Sequence, residues 1–333
     1  MTEKPVPNQP PILFSRTQAL LAQMAAELDE PVITYWNSTA GSICSNDVVG
    51  LYAVLQSLGR VDRLSLFIKS DGGFGQASLR MVNLLRQHAS RLTALVPLEC
   101  ASAATMLALG ADRILMGPLA YLSAVDTALS HDLSPLDRDN NRVRVSQDEL
   151  HRVVALWQRQ SRENSANPYE ALFGHVHPLV IGAVDRASAL STRLCVEILS
   201  HHMDDPTRAE EIATTLNVGY PSHNYPITLS EAVRIGLRAE PLTQQLNRLL
   251  LELNEVYSEM GQRASTDYDE RNSHDNSIVN ILEGGGLQVF FQNDKDWFYR
   301  AEERRWVSLN DKSGWRKAEL VEGDLKISTL HVR

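Results

Sequence analysis

Two short turns and one serine carry the chemistry for which this sequence can be read. Ser102 follows the apolar run LTALVPL and the residues Glu99-Cys100-Ala101, and it opens an apolar helical stretch. The preceding strand-like run, RLSLFIKS, ends on the glycine turn SDGG. A serine at a strand-to-helix junction gains from free backbone N–H groups and from the helix dipole. A glycine turn on the neighbouring strand can aim one more N–H at the same point. The N–H groups of Gly73 and Ala103 would together form an oxyanion hole for an acyl-transfer intermediate. The plain alternative is a tight turn with a small residue at a helix start, and spacing alone leaves that alternative open.

The elements that must position these turns follow from periodicity. A helix is predicted over 15–28, a strand over 31–36 and a helix over 46–58, capped by Ser45 or Asn46. A strand over 63–70, a helix over 76–88, a strand over 92–98 and a helix over 103–109 follow. Alternation with short connections predicts an α/β fold on a mostly parallel sheet, where sites form at the carboxyl ends of strands. Beyond a polar loop at 130–144, helices are predicted over 147–160, 177–201, 205–216, 230–236 and 242–260. Residues 262–276 (QRASTDYDERNSHDN) read as a linker, and 277–333 as a small β appendage whose aromatics form a core of their own. The expected layout is therefore a lead and helix over 1–29, the main domain over 30–261, the linker and the appendage.

Composition narrows the function classes. The chain has 333 residues, 43% hydrophobic and 22% charged, with a net charge of −9. That balance suits a globular core and argues against nucleic acid as a partner, which would need a basic patch. Three cysteines cannot build a disulfide framework and show no metal-ligand spacing, and SDGGFG has neither the lysine and spacing of a P-loop nor a dinucleotide fingerprint, so neither a metal nor another cofactor is expected. No apolar run approaches a membrane span. The polar, proline-rich start reads as a flexible lead and not a signal peptide, which makes a cytoplasmic location the expectation.

In combination, FIKSDGGFGQASLRMVNLL, LVPLECASAATMLALGADRILMGPLAYLSAVD, HPLVIGAVDRA and GYPSHNYPITLSEAVRIGL resemble the serine dehydrogenase proteinase family. That family is related to the Clp peptidases and signal peptide peptidase A. The resemblance covers roughly residues 30–240. It implies a Clp/crotonase-like fold of stacked ββα units, a serine peptidase with Ser102 as nucleophile, and an oxyanion hole at Gly73 and Ala103. It also implies a homo-oligomer acting on peptides or unfolded protein segments, an assembly that an unfoldase or another partner protein could feed. Ala103-Ala104 departs from the family, which has glycines there.

A serine needs a base to take its proton. Relatives of signal peptide peptidase A use a lysine, but no lysine lies between Lys69 and Lys295. Histidine is the remaining candidate. His223, in PSHNYPIT, falls near the position of the catalytic aspartate of Clp peptidases, and Asp126 near that of their histidine. A Ser102–His223–Asp126 triad would exchange the two supporting positions, which geometry permits. His177 is the alternative base, and Cys100 is expected to point into the core. Two other functions compete: an inactive homologue that binds peptides or builds an oligomeric scaffold, and a crotonase-like acyl-CoA enzyme using Asp71 and Glu99.

Overall fold

A computed structural model describes residues 6–138, 140–160 and 167–332. The chain divides into two compact units: one joins the residues up to Leu122 with those from Thr228 on, the other runs from Ser123 to Ile227.

The first unit begins with α1 (Phe14–Leu28), β1 (Val32–Asn37), α2 (Asp47–Leu58), β2 (Val61–Lys69) and α3 (Gly75–His88). It continues through β3 (Ala89–Val96), β4 (Glu99–Cys100), α4 (Ala103–Leu109), β5 (Arg113–Met116) and β6 (Tyr121–Leu122). The second unit holds β7 (Ala128–Leu129), β8 (Val145–Ser146), α5 (Gln147–Gln160), α6 (Pro168–Phe173), α7 (Pro178–Leu199) and α8 (Pro206–Val218). The chain then returns to the first unit with α9 (Leu229–Arg234), β9 (Ala239–Pro241) and α10 (Gln244–Met260). Six further strands complete that unit: β10 (Ala264–Asp267), β11 (Asn272–Gly284), β12 (Leu287–Arg300), β13 (Arg305–Asp311), β14 (Gly314–Val321) and β15 (Asp324–Thr329).

Strands β1, β2, β3, β5 and β9 lie side by side and parallel. The inner segments of β1, β2, β3 and β5 are continuously buried, as strands covered on both faces are. Val32, Trp36, Phe67 and Leu95 face a core completed by α1 and α10, which brings in Leu21, Met24, Leu250 and Leu253. Burial of that many large side chains, each worth about 1.5–3 kcal/mol, fixes the strand ends from which the turns project.

Three expectations need correction. Residues 262–276 are no linker, because β10 and the start of β11 occupy them. The C-terminal strands are no separate appendage: β11 pairs antiparallel with β1, from Thr34↔Glu283 to Asn37↔Asn280, so the parallel sheet continues into an antiparallel half and is mixed. An uncovered β1 would present unpaired backbone groups at a sheet edge, and β11 removes that edge. The described part of the lead is also tied down, since the Asn8 backbone N–H donates to Thr266 Oγ1 and its side chain to Ser265 O, both at 2.8 Å; residues 1–5 lie outside the described residues. Of the C-terminal aromatics, Trp315 is buried against Phe291, whereas Trp306 is exposed.

Buried polar groups in this unit are satisfied in networks. Glu283 is fully buried and accepts from Thr17, Gln18, Tyr257 and Gln288 at 2.5–2.7 Å. Burial still holds its carboxyl above the usual range. In the second unit, α7 starts at His177, whose Nδ1 accepts from the Leu179 N–H, and Val180 and Val184 pack against Leu150 of α5. His177 is thereby a helix cap. Among the described residues, no helix is long and apolar enough to cross a membrane.

Candidate functional site

Ser102 lies between β4 and α4 with φ 53° and ψ −119°. That positive φ is unusual for a residue with a Cβ, and it is the geometry of a sharp strand-to-helix turn that pushes a serine hydroxyl outward. Such a conformation costs about 1–3 kcal/mol and survives only where its surroundings enforce it.

Those surroundings are small and tightly bonded. Ala103 and Ala104 are buried, and the Ala103 carbonyl accepts from Ser78 Oγ at 2.7 Å. Thr105 Oγ1 donates back to the Cys100 carbonyl at 2.8 Å, which ties the first turn of α4 to the strand before it. Small side chains at 103 and 104 let the helix start approach the sheet. The Cys100 thiol points into the core, donates to Ala104 O at 3.1 Å, and is held far above its usual pKa by burial and by nearby Glu99. It is inert there, as expected.

The glycine turn meets Ser102 directly. Gly72 and Gly73 have φ of 104° and 145°, open only to glycine. A Cβ on Gly72 would lie 2.6 Å from Ser102 Cβ and 3.0 Å from the Ala103 nitrogen. A Cβ on Gly73 would strike the Ile43 backbone oxygen at 2.4 Å. The turn is pinned on its other side, where Ile43 N–H donates to Gly72 O and Phe74 N–H to Ile43 O. Neither the Gly73 nor the Ala103 N–H finds an acceptor among the described residues. Two N–H groups without acceptors at one serine suit a developing oxyanion.

Lys69, the nearest lysine in sequence, is buried and engaged. Its ammonium lies 2.8 Å from Glu99 Oε1, donates to the Asn37 carbonyl at 2.9 Å, and sits over the Trp36 ring. It is a structural cation.

In the second unit, His223 Nδ1 lies 2.8 Å from Asp126 Oδ1. A carboxylate only accepts, so Nδ1 carries the hydrogen, and the neutral ring has its lone pair on Nε2. The bond to Asp126 raises the His223 pKa above 6.5, with partial burial opposing it. Asp126 is fixed from its chain neighbour, since Val125 N–H donates to Leu216 O and Val125 O accepts from Ser191 Oγ. His223 itself stands on an exposed loop beside Tyr220 and Tyr225, whose rings stack. The geometry thus brings Ser102, Gly73 and Ala103 together in one unit and His223 with Asp126 in the other. Ser70 and Asn37, beneath the glycine turn, were not legible as site residues; the only signal was their place at strand ends.

No protein-family model matches the chain. It is 24% identical over 206 residues to uncharacterized protein MJ1495 of Methanocaldococcus jannaschii, covering 62% of this chain and 61% of that one. Uncharacterized protein MJ0137 of the same organism is 23% identical over 190 residues, covering 57% and 58%. The chain spans about three fifths of the length of these curated relatives. Among solved structures, a mutant of the 1510-N membrane-bound stomatin-specific protease aligns with a TM-score of 0.38 and 14% identity, over 70% of this chain and 84% of that one. A likeness of that size fixes neither fold detail nor activity.

Proposed function

We propose that the chain is a serine peptidase with a Clp/crotonase-like active-site arrangement, acting on peptides or unfolded protein segments. One observation carries the reading: Ser102 is held in a strained turn against a glycine pair, beside two backbone N–H groups that find no acceptor among the described residues. In the proposed reaction Ser102 Oγ attacks the scissile carbonyl carbon while His223 Nε2 takes the hydroxyl proton. Gly73 and Ala103 N–H groups stabilise the oxyanion, and Asp126 holds the imidazole tautomer and the imidazolium that forms. Collapse expels the amine, which receives the proton from His223 and leaves Ser102 acylated. Water, deprotonated by the same imidazole, then releases the acid.

A homo-oligomer belongs to the same proposal. Leu133, Leu136, Leu156, Phe173 and Leu179 of the second unit are exposed, apolar side chains that a contact between copies would cover. Peptide substrates need no metal or organic cofactor in this scheme.

The test is labelling with a fluorophosphonate probe beside a Ser102→Ala control. Labelling of the wild-type protein that disappears in the control is expected. A folded, assembled wild-type protein that does not label would overturn the reading in favour of a peptide-binding or scaffold role.

A further inference from the structure

Beneath the glycine turn lies a chain of hydrogen bonds that no catalytic step uses. The Gly72 N–H donates to Ser70 Oγ at 3.0 Å, and Ser70 Oγ donates to Asn37 Oδ1 at 2.5 Å. Asn37 Nδ2 donates to the Tyr35 hydroxyl at 3.4 Å, and that hydroxyl donates to Asp47 Oδ2 at 2.7 Å. Every donor points the same way, from the turn towards the Asp47 carboxylate. Bonds aligned in one sense polarise one another. Asp47 is itself pinned by the Cys44 N–H at 2.6 Å and by Asn280 Nδ2 at 2.9 Å.

Ser70 also holds the other half of the site. Its N–H donates to Glu99 O at 3.0 Å, and its carbonyl accepts from the Ala101 N–H at 2.9 Å. These two bonds clamp the segment that leads into Ser102, while the hydroxyl clamps Gly72. Ser70 and Asn37 are both wholly buried, so no water can replace a lost partner without rearrangement. Asn37 is fixed in turn, because its carbonyl accepts from Lys69 Nζ.

We infer that Ser70, oriented by Asn37, is a positioning residue that sets the distance between the Gly73 N–H and the Ser102 turn. This inference rests on the reading of Ser102 as a nucleophile. A hydroxyl has one donor and two acceptor sites. Asn37 Oδ1 takes the donor, which leaves a lone pair facing Gly72. Removing the hydroxyl orphans the buried Gly72 N–H, and the glycine pair must shift to satisfy it. A misplacement of about 1 Å at such a donor costs on the order of a hundredfold in rate.

The experiment compares fluorophosphonate labelling rates across pH for wild type, Ser70→Ala, Ser70→Thr and Asn37→Ala, with thermal unfolding to identify folded variants. Ser70→Ala is expected to lower the plateau rate by roughly ten- to a hundredfold without moving the acid limb, because the base is untouched. Ser70→Thr, which keeps the hydroxyl, is expected to recover most of the rate. Asn37→Ala is expected to lower the plateau in the same way, and it decides the matter if Ser70→Ala does not fold. A folded Ser70→Ala or Asn37→Ala protein labelling at the wild-type rate would overturn the inference, as would an acid limb that moves with either variant. A wild-type protein that does not label removes the nucleophile reading and this inference together, an outcome distinct from failure of the variants alone.

Discussion

Ser102 sits in a turn fixed from beneath by backbone bonds and buried side chains, whereas His223 stands on an exposed loop and its ring is held to Asp126. Around Ser102 the constraint is redundant. Gly72, Ser70, Ala101 and Thr105 each contribute a separate bond to the turn or its flanks. Around His223 one residue, Asp126, orients the ring, and its carboxylate 2.8 Å from Nδ1 sets the tautomer. On the proposed mechanism, a nucleophile built this way would tolerate loss of one support at a moderate cost in rate, and a base built the other way would not tolerate loss of its partner.

The sharpest way to break that contrast is His223→Gln. If His223 is the base, hydrolysis of an unfolded model protein such as casein should fall by roughly a millionfold, as when the histidine of a comparable triad is removed. A decrease of only a few-fold, in a variant with an unchanged melting temperature, would show that another group takes the Ser102 proton.

Asp126→Asn is the next largest. The expected loss is roughly ten-thousandfold, because an amide can donate to Nδ1 and favour the wrong tautomer. The pH profile adds a sign. The bond to Asp126 raises the His223 pKa above 6.5. The bond's contribution to stability is therefore fully present below about 6.5 and is lost as pH rises through the folded-state value. In the proposed mechanism activity would run the other way, since only the neutral ring accepts a proton, so kcat/KM should rise through that same value. In Asp126→Asn the residual activity should have its acid limb displaced downward, because burial then acts on the imidazole alone. An unmoved limb would detach Asp126 from His223 in the mechanism.

The two regions were also unequally legible in the sequence. The parallel strands and α4 show as continuous apolar runs broken by small-residue turns, and Ser102 stands at such a break. Its positive φ could not be read, because it is imposed by a glycine turn on another strand. His223 and Asp126 are 97 residues apart, and no periodicity measures a contact across that interval. The strands over 264–277 escaped for a different reason. Ser265 faces Asp275, Thr266 faces His274, and Arg263 pairs with Asp275, so both faces are polar and the period-2 apolar signal is missing. Glu283 and Gln288 show the same limit inside the core, where charge and amide suggest surface yet four donors satisfy one buried carboxylate.

The smallest expected effect is none, and it tests whether the rigid region has been assigned its correct nucleophile. Cys100 lies two residues before Ser102, at the end of β4, so a thiol mechanism is the nearest rival within that region. Thiolate is the reactive species, and burial suppresses it at all three free cysteines: far above the usual range for Cys100, to about 12 for Cys195, and upward for half-buried Cys44, where the Asp47 charge adds to the effect. Iodoacetamide at neutral pH should therefore leave labelling by the fluorophosphonate probe unchanged. Thiol titration should find less than about one reactive equivalent in the native protein and all three after denaturation. Inactivation that tracks alkylation of Cys100 would move the nucleophile from the strained serine to the strand beneath it. The conformation of Ser102 would then be a consequence of packing two glycines against a helix start, and the contrast between the two regions would lose its catalytic meaning.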